Sequence, residues 1–175
     1  MKTIELILGG ARSGKSRYAE QQAGRSGQPV VYIATAQALD AEMAQRIAHH
    51  RQQRPEHWHT REEPLALAAA LRRAAAEFPQ ALLLVDCLTL WLTNCLLHED
   101  GQRWAAEREQ LLSLLQQPPA PLLLVSNEVG YGIVPLGDLS RRFVDEAGRL
   151  HQEIAQLAPE VTLVVAGIPM AVKRC

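Results

Sequence analysis

The chain has 175 residues, a formal net charge of −1 and a hydrophobic fraction of 47%, a size that suits one domain over residues 1–175 with a substantial buried core. Its arginines are scattered through helical segments, which gives no basic face for nucleic acid. Cys87, Cys95 and Cys175 form no C-x-x-C pair, which excludes a zinc knuckle or a disulfide framework and implies reduced thiols.

The first apolar run, Thr3 to Leu8, leads straight into Gly9-Gly10-Ala11-Arg12-Ser13-Gly14-Lys15-Ser16. It is too short for a transmembrane segment and reads as a strand, so the expected compartment is the cytoplasm. The octet meets G-x-x-x-x-G-K-[ST] at every specified position, and a helical pattern follows from Arg17 to Glu20. In that setting the glycines let backbone N–H groups converge on phosphate oxygens, Lys15 neutralises charge, and the Ser16 hydroxyl faces magnesium. Lys2 and Lys173 lie near the ends, which leaves Lys15 as the lysine of the interior. A nucleoside triphosphate is the expected ligand.

Further apolar runs fall at Val30 to Ala34, Ala81 to Val85, Pro121 to Ser126 and Val161 to Ala166, with helical patterns between most of them. Because the runs are continuous rather than alternating, they predict an α/β fold with a mainly parallel sheet and helices on both faces. The long crossovers argue against a sheet built from hairpins. Ligands in such sheets bind beyond the carboxyl ends of the strands. The residues there are the phosphate loop, Thr35, Asp86, Asn127 and Glu128.

After the second run, Asp40 is placed to cap a helix reaching Arg54, on which Met43, Ile47 and His50 share one stripe. Neighbouring helical residues diverge by about 100°, so His49 and His50 cannot both aim at one atom. His50 shares the inward stripe and is the candidate nucleophile toward an α-phosphorus, with Arg51 and Arg54 holding phosphates. One packed and one solvated histidine is the plainer alternative. His57-Trp58-His59 with Glu62 and Glu63 reads as a polar surface loop, where two histidines lack a third metal ligand and Glu62 is an acceptor for ribose or base donors.

Asp86 closes the run Leu82 to Val85, where it either meets magnesium in a Walker B arrangement or caps a helix over 87–97. The phosphate loop favours magnesium. The segment Asn127 to Pro135 carries glycines on both sides of Tyr131, which suits a ligand or a subunit contact, with a long αβ connection as the plainer alternative; Asn127 and Glu128 at a strand tip favour a substrate loop.

Taken together, GGARSGKS, Tyr32 to Ala36, Arg46 to Arg51 with its paired histidines, and Asn127 to Pro135 resemble the bifunctional adenosylcobinamide kinase and adenosylcobinamide-phosphate guanylyltransferase family. The resemblance runs from the first strand to Val172 and Lys173. It implies phosphorylation of adenosylcobinamide by a nucleoside triphosphate, ATP or GTP, and then transfer of GMP from GTP to adenosylcobinamide phosphate through a guanylylated histidine. By the same resemblance Gly9 to Ser16 hold phosphates. Ala34, Thr35, Ala36, Arg51, Gln52, Gln53, Arg54, Glu62 and Asp86 line the GTP site, and His50 carries GMP. Ser16 and Asp86 are the magnesium residues, the fold is a RecA-like P-loop NTPase, and the assembly is a homotrimer.

A small-molecule P-loop kinase without a covalent nucleotide uses the same loop and Asp86, and labelled GTP separates the two. A GTPase switch fits poorly. No N-K-x-D motif follows the fourth run, and Asp145 to Gly148, the D-x-x-G, lies in a helical pattern.

Overall fold

The computed structural model describes residues 3–38, 45, 54–98 and 103–174. In chain order these give β1 (Ile4–Gly9), α1 (Lys15–Arg25), β2 (Val30–Ala34), β3 (His59–Glu62), α2 (Leu67–Glu77), β4 (Leu82–Asp86), α3 (Leu88–Leu97), α4 (Arg103–Gln116), β5 (Leu122–Asn127), α5 (Asp138–Leu157), β6 (Glu160–Val165) and β7 (Ile168–Arg174). The strands form one seven-stranded sheet in the order β3-β2-β4-β5-β1-β6-β7. All neighbours run parallel except β6 and β7.

Both faces of the central strands are buried, which is why their sequences are apolar without alternation. Ile4, Leu6, Val31, Ile33, Leu83, Val85 and Leu124 pack beneath α2, α3, α4 and α5. Ile7, Val30, Tyr32, Leu84 and Val125 face the other way, against Ala19 and Ala23 of α1. Trp91 anchors the thicker layer: it is fully buried, donates its indole N–H to Leu65 O at 2.7 Å, and meets Trp104 edge-on at 5.3 Å. Burial pushes Cys87 up to about 11 and Cys95 up to about 12, so both thiols stay protonated near neutrality.

One expectation needs correction. The segment read as a polar loop contains β3, an edge strand paired with β2, and Trp58 beside it is buried. His-Thr-Arg-Glu is exposed throughout, so it carries no apolar signal; its pairing comes from the edge of β2. The sheet also ends in a hairpin, because β7 folds back on β6. Ala166 and Gly167 both take positive φ, 51° and 78°, the two-residue turn whose twist suits a tight hairpin. Pro169 is tolerated there because β7 is an edge strand.

His151 of α5 lies buried under the end of β5, with Nε2 2.7 Å from Ser126 Oγ and Nδ1 3.8 Å from Glu128 Oε2. Burial lowers its pKa and the Glu128 carboxylate opposes that shift. Above the unfolded value of about 6.5, both states are neutral at this site and its contribution to stability is flat. Below it the unfolded chain takes up the proton first, so stability falls as pH falls. The urea midpoint should therefore drop between about pH 7 and pH 5, and His151→Gln, which keeps a hydrogen-bonding group for Ser126, should flatten that drop. Superimposable pH profiles would remove His151 as its source.

Candidate active site

The phosphate loop joins β1 to α1 through backbone geometry that only small residues allow. A Cβ on Gly9 would collide with Ser13 Oγ and stand 2.7 Å from Val164 O. Gly14, with φ of 92°, caps α1 and offers no side chain, so the first-turn N–H groups of the helix have no side-chain cap. Ser13 Oγ is buried without a hydrogen-bond partner. An open cradle with an orphaned hydroxyl and free helix N–H groups fits a phosphate chain.

Lys15 is 8% exposed and donates from Nζ to Gly10 O at 3.2 Å. Burial lowers its pKa, while the nearby Asp86 charge, and then Cys87, pull it back up. The loop is fastened on both flanks: Glu128 N donates to Gly9 O at 3.0 Å, and Gly167 N donates to Ser13 O at 2.8 Å.

Register explains why the strand-tip residues gather. Ala34 at the end of β2 lies opposite both Glu62 on β3 and Asp86 on β4, and Gly9 lies opposite Asn127 on β5. Asp86 Oδ2 accepts a hydrogen bond from Tyr32 Oη at 2.9 Å, and the Arg54 guanidinium lies 3.5 Å over the same tyrosine ring. Among the described residues, Nε and Nη1 of Arg54 are buried and have no hydrogen-bond partner, as is the case for Glu20 Oε1 of α1. Arg54 is thus held by its flat face while its N–H donors remain available to an anion.

Residues 5–172 match the family described as cobinamide kinase / cobinamide phosphate guanyltransferase. The chain belongs to that family. It is 63% identical over 169 residues to the bifunctional adenosylcobalamin biosynthesis protein CobP of Pseudomonas aeruginosa, covering 97% of this chain and 96% of that one. It is 46% identical to the corresponding CobU protein of Escherichia coli strain K12, covering 96% of this chain and 98% of the relative. Among solved structures, a type III secretion system ATPase superposes with a TM-score of 0.55 at 12% identity, over 98% of this chain and 57% of that one. The RadB recombinase gives 0.54 at 16% identity, over 93% and 74%. These likenesses bear out the P-loop NTPase fold.

Within this cobinamide kinase / cobinamide phosphate guanyltransferase, the described residues bring Gly9 to Ser16, Ala34, Glu62 and Asp86 to the carboxyl edge of the sheet, with Arg54 stacked on Tyr32. Thr35 follows β2 but is fully buried: Cys87 N donates to its Oγ1 at 2.9 Å, and Oγ1 donates to Cys87 O at 2.7 Å. Its side chain locks the tips of β2 and β4 together. Ala36 beside it is half-buried. His49, His50, Arg51, Gln52 and Gln53 lie outside the described residues. His59 stacks on Phe78 at 4.2 Å, and no group of three metal-ligating side chains occurs among the described residues.

Three polar groups escaped the sequence reading as site residues. Tyr32 was hidden inside an apolar run, although a phenol next to a strand tip is a usable signal. Glu20 follows Ser16 by one helical turn and so shares its face of α1. Burial raises its pKa, with Asp86 adding to the shift and Arg54 opposing it. Thr89 receives the Asn127 side-chain amide at 2.9 Å, which sets that amide beside the loop.

Proposed function

We propose that this chain phosphorylates adenosylcobinamide with a nucleoside triphosphate and then transfers GMP from GTP to adenosylcobinamide phosphate through a guanylylated His50. The supporting observation is the convergence, on one edge of the sheet, of a phosphate loop with an unpartnered Ser13 hydroxyl, buried Lys15, Asp86 and the Arg54 donors that have no hydrogen-bond partner among the described residues. In the first reaction the substrate hydroxyl attacks the γ-phosphorus, its proton is lost to solvent or a base, and the nucleoside diphosphate leaves. Lys15 stabilises the charge that spreads over the transferring oxygens. In the second, the neutral His50 imidazole attacks the α-phosphorus of GTP and pyrophosphate leaves. A phosphate oxygen of the cobinamide phosphate then displaces the imidazole, giving adenosylcobinamide-GDP and free histidine.

Ser16 and Asp86 are the residues that would hold magnesium. Asp86 keeps one oxygen clear of its bond to Tyr32, and such an ion neutralises phosphate charge. The same reading takes the enzyme as a homotrimer of the cytoplasm. Tyr131, Ile133, Val134 and Leu136, all at least 72% exposed in the loop before α5, form the kind of apolar surface that a neighbouring subunit covers. Sedimentation equilibrium tests the trimer, and a monomer would contradict it. No helix among the described residues is long and apolar enough to cross a membrane.

Intact mass after incubation with GTP tests the chemistry. A gain of one GMP, labile to acid and stable to base, is the expected result. An unmodified chain that still phosphorylates the corrinoid would reduce the protein to a simple kinase.

A further inference from the structure

A cavity of about 550 Å³ opens between α1 and the β6–β7 hairpin, on the side of β1 away from β2, β3 and β4. Its size is in the range of small-molecule sites. Gly14 lines it and also belongs to the phosphate loop, so the cavity begins where the loop ends. From there α1 contributes Arg17, Gln21, Gln22 and Arg25, and β7 contributes Pro169, Ala171 and Arg174. Among the described residues the three arginines have no ion-pair partner and no carboxylate lines the space, the nearby Glu5 carboxylate being held behind the wall by Tyr18 Oη at 3.2 Å and Thr162 Oγ1 at 2.7 Å.

This lining suits an uncharged aromatic base carried on a phosphate chain. Guanidinium planes stack on base faces, glutamine amides pair with the donor and acceptor edge of a purine, and Pro169 and Ala171 supply an apolar wall. The hairpin that forms that wall is bonded to the loop through Gly167 and Ser13. A Cβ on Gly14 would stand 3.1 Å from Gly167 Cα, so the two backbones meet at the cavity mouth.

The proposed chemistry makes two demands on one phosphate loop. Phosphoryl transfer must present a γ-phosphorus, whereas guanylyl transfer must present an α-phosphorus to a histidine on the segment preceding Arg54. These atoms lie at opposite ends of a triphosphate, so a single placement of one nucleotide does not serve both reactions. We propose, resting on the bifunctional reading above, that this cavity seats the purine nucleoside of the phosphoryl donor. The side of the loop bearing Ala34, Arg54, Glu62 and Asp86 is then left to the GTP whose GMP is transferred. The loop is shared, and the nucleoside lies to one side of it in each reaction.

Photolabelling of the full chain with 8-azido-ATP, followed by peptide mapping, tests the assignment. The expected label falls on peptides of α1 or β7 and is removed by excess ATP. A label confined to peptides spanning 34–36 or 54–62 would overturn it. As a second measurement, Ala171→Trp fills the cavity and should raise the KM for the phosphoryl donor at least about tenfold, the scale of losing one set of base contacts, with kcat little changed. GMP-adduct formation from GTP should keep its normal rate in that variant. An unchanged KM, or equal loss of both reactions, would also overturn the proposal. Absence of any label together with no triphosphate binding by calorimetry would remove the phosphate-loop reading itself, a failure distinct from a label in the wrong place.

Discussion

Lys15→Ala is expected to lower both phosphorylation and guanylyl transfer by at least about a thousandfold, the scale of removing a preorganised cation from a phosphoryl-transfer site. Far-UV circular dichroism should stay unchanged. Lys15 is buried, its internal hydrogen bond is the one to Gly10 O, and Asp86 is its main charge neighbour. An ammonium held in a partly dehydrated cradle acts on phosphate oxygens with less solvent screening than a surface lysine. Its removal also leaves Asp86 facing the phosphate chain without the compensating charge. A folded variant that keeps near-normal rates of either reaction would show that the loop is not the phosphate site shared by both.

His50→Ala should lose the covalent GMP and all guanylyl transfer while phosphorylation continues, because the phosphate loop and Asp86 are intact. His49→Ala should still take the label. On the helix that the sequence predicts for this segment the two would differ by one step of phase, about 100°, and only His50 would share the stripe of Met43 and Ile47. Peptide mapping of the adduct decides the matter directly. GMP on His49 or Lys15 would overturn the assignment, and equal loss of both reactions in His50→Ala would mark a structural histidine.

The phosphate loop was legible in the sequence because each of its positions answers a local demand. Gly9 must lack a Cβ, Gly14 must take a positive φ, and Lys15 must carry charge. The inner strands were legible because burial on both faces leaves an unbroken apolar run. The two edge strands were not. β3 is written in polar residues, and β7 carries a proline after an Ala-Gly turn rather than one of the usual hairpin pairs.

Of the site, residue types at strand tips could be read from spacing alone. Their mutual contacts could not. Arg54 on Tyr32, Tyr32 on Asp86 and His151 under Ser126 join elements far apart in the chain, and they depend on sheet order, which no local pattern encodes.

That order has a consequence for how the protein is made. β1 is synthesised before both of its neighbours in the sheet, β5 and β6, so this apolar strand waits for its partners while more than a hundred intervening residues are made. Contacts so distant in sequence close slowly and leave an unpaired edge exposed to other nascent chains in the interval. The backbone bond from Gly167 to Ser13 extends the delay, since the phosphate loop gains its second fastening only after the β6–β7 turn has formed. The full fastening of the nucleotide cradle therefore requires a segment made about 150 residues after the loop itself, and a chain halted before β6 would lack both that bond and one partner of β1.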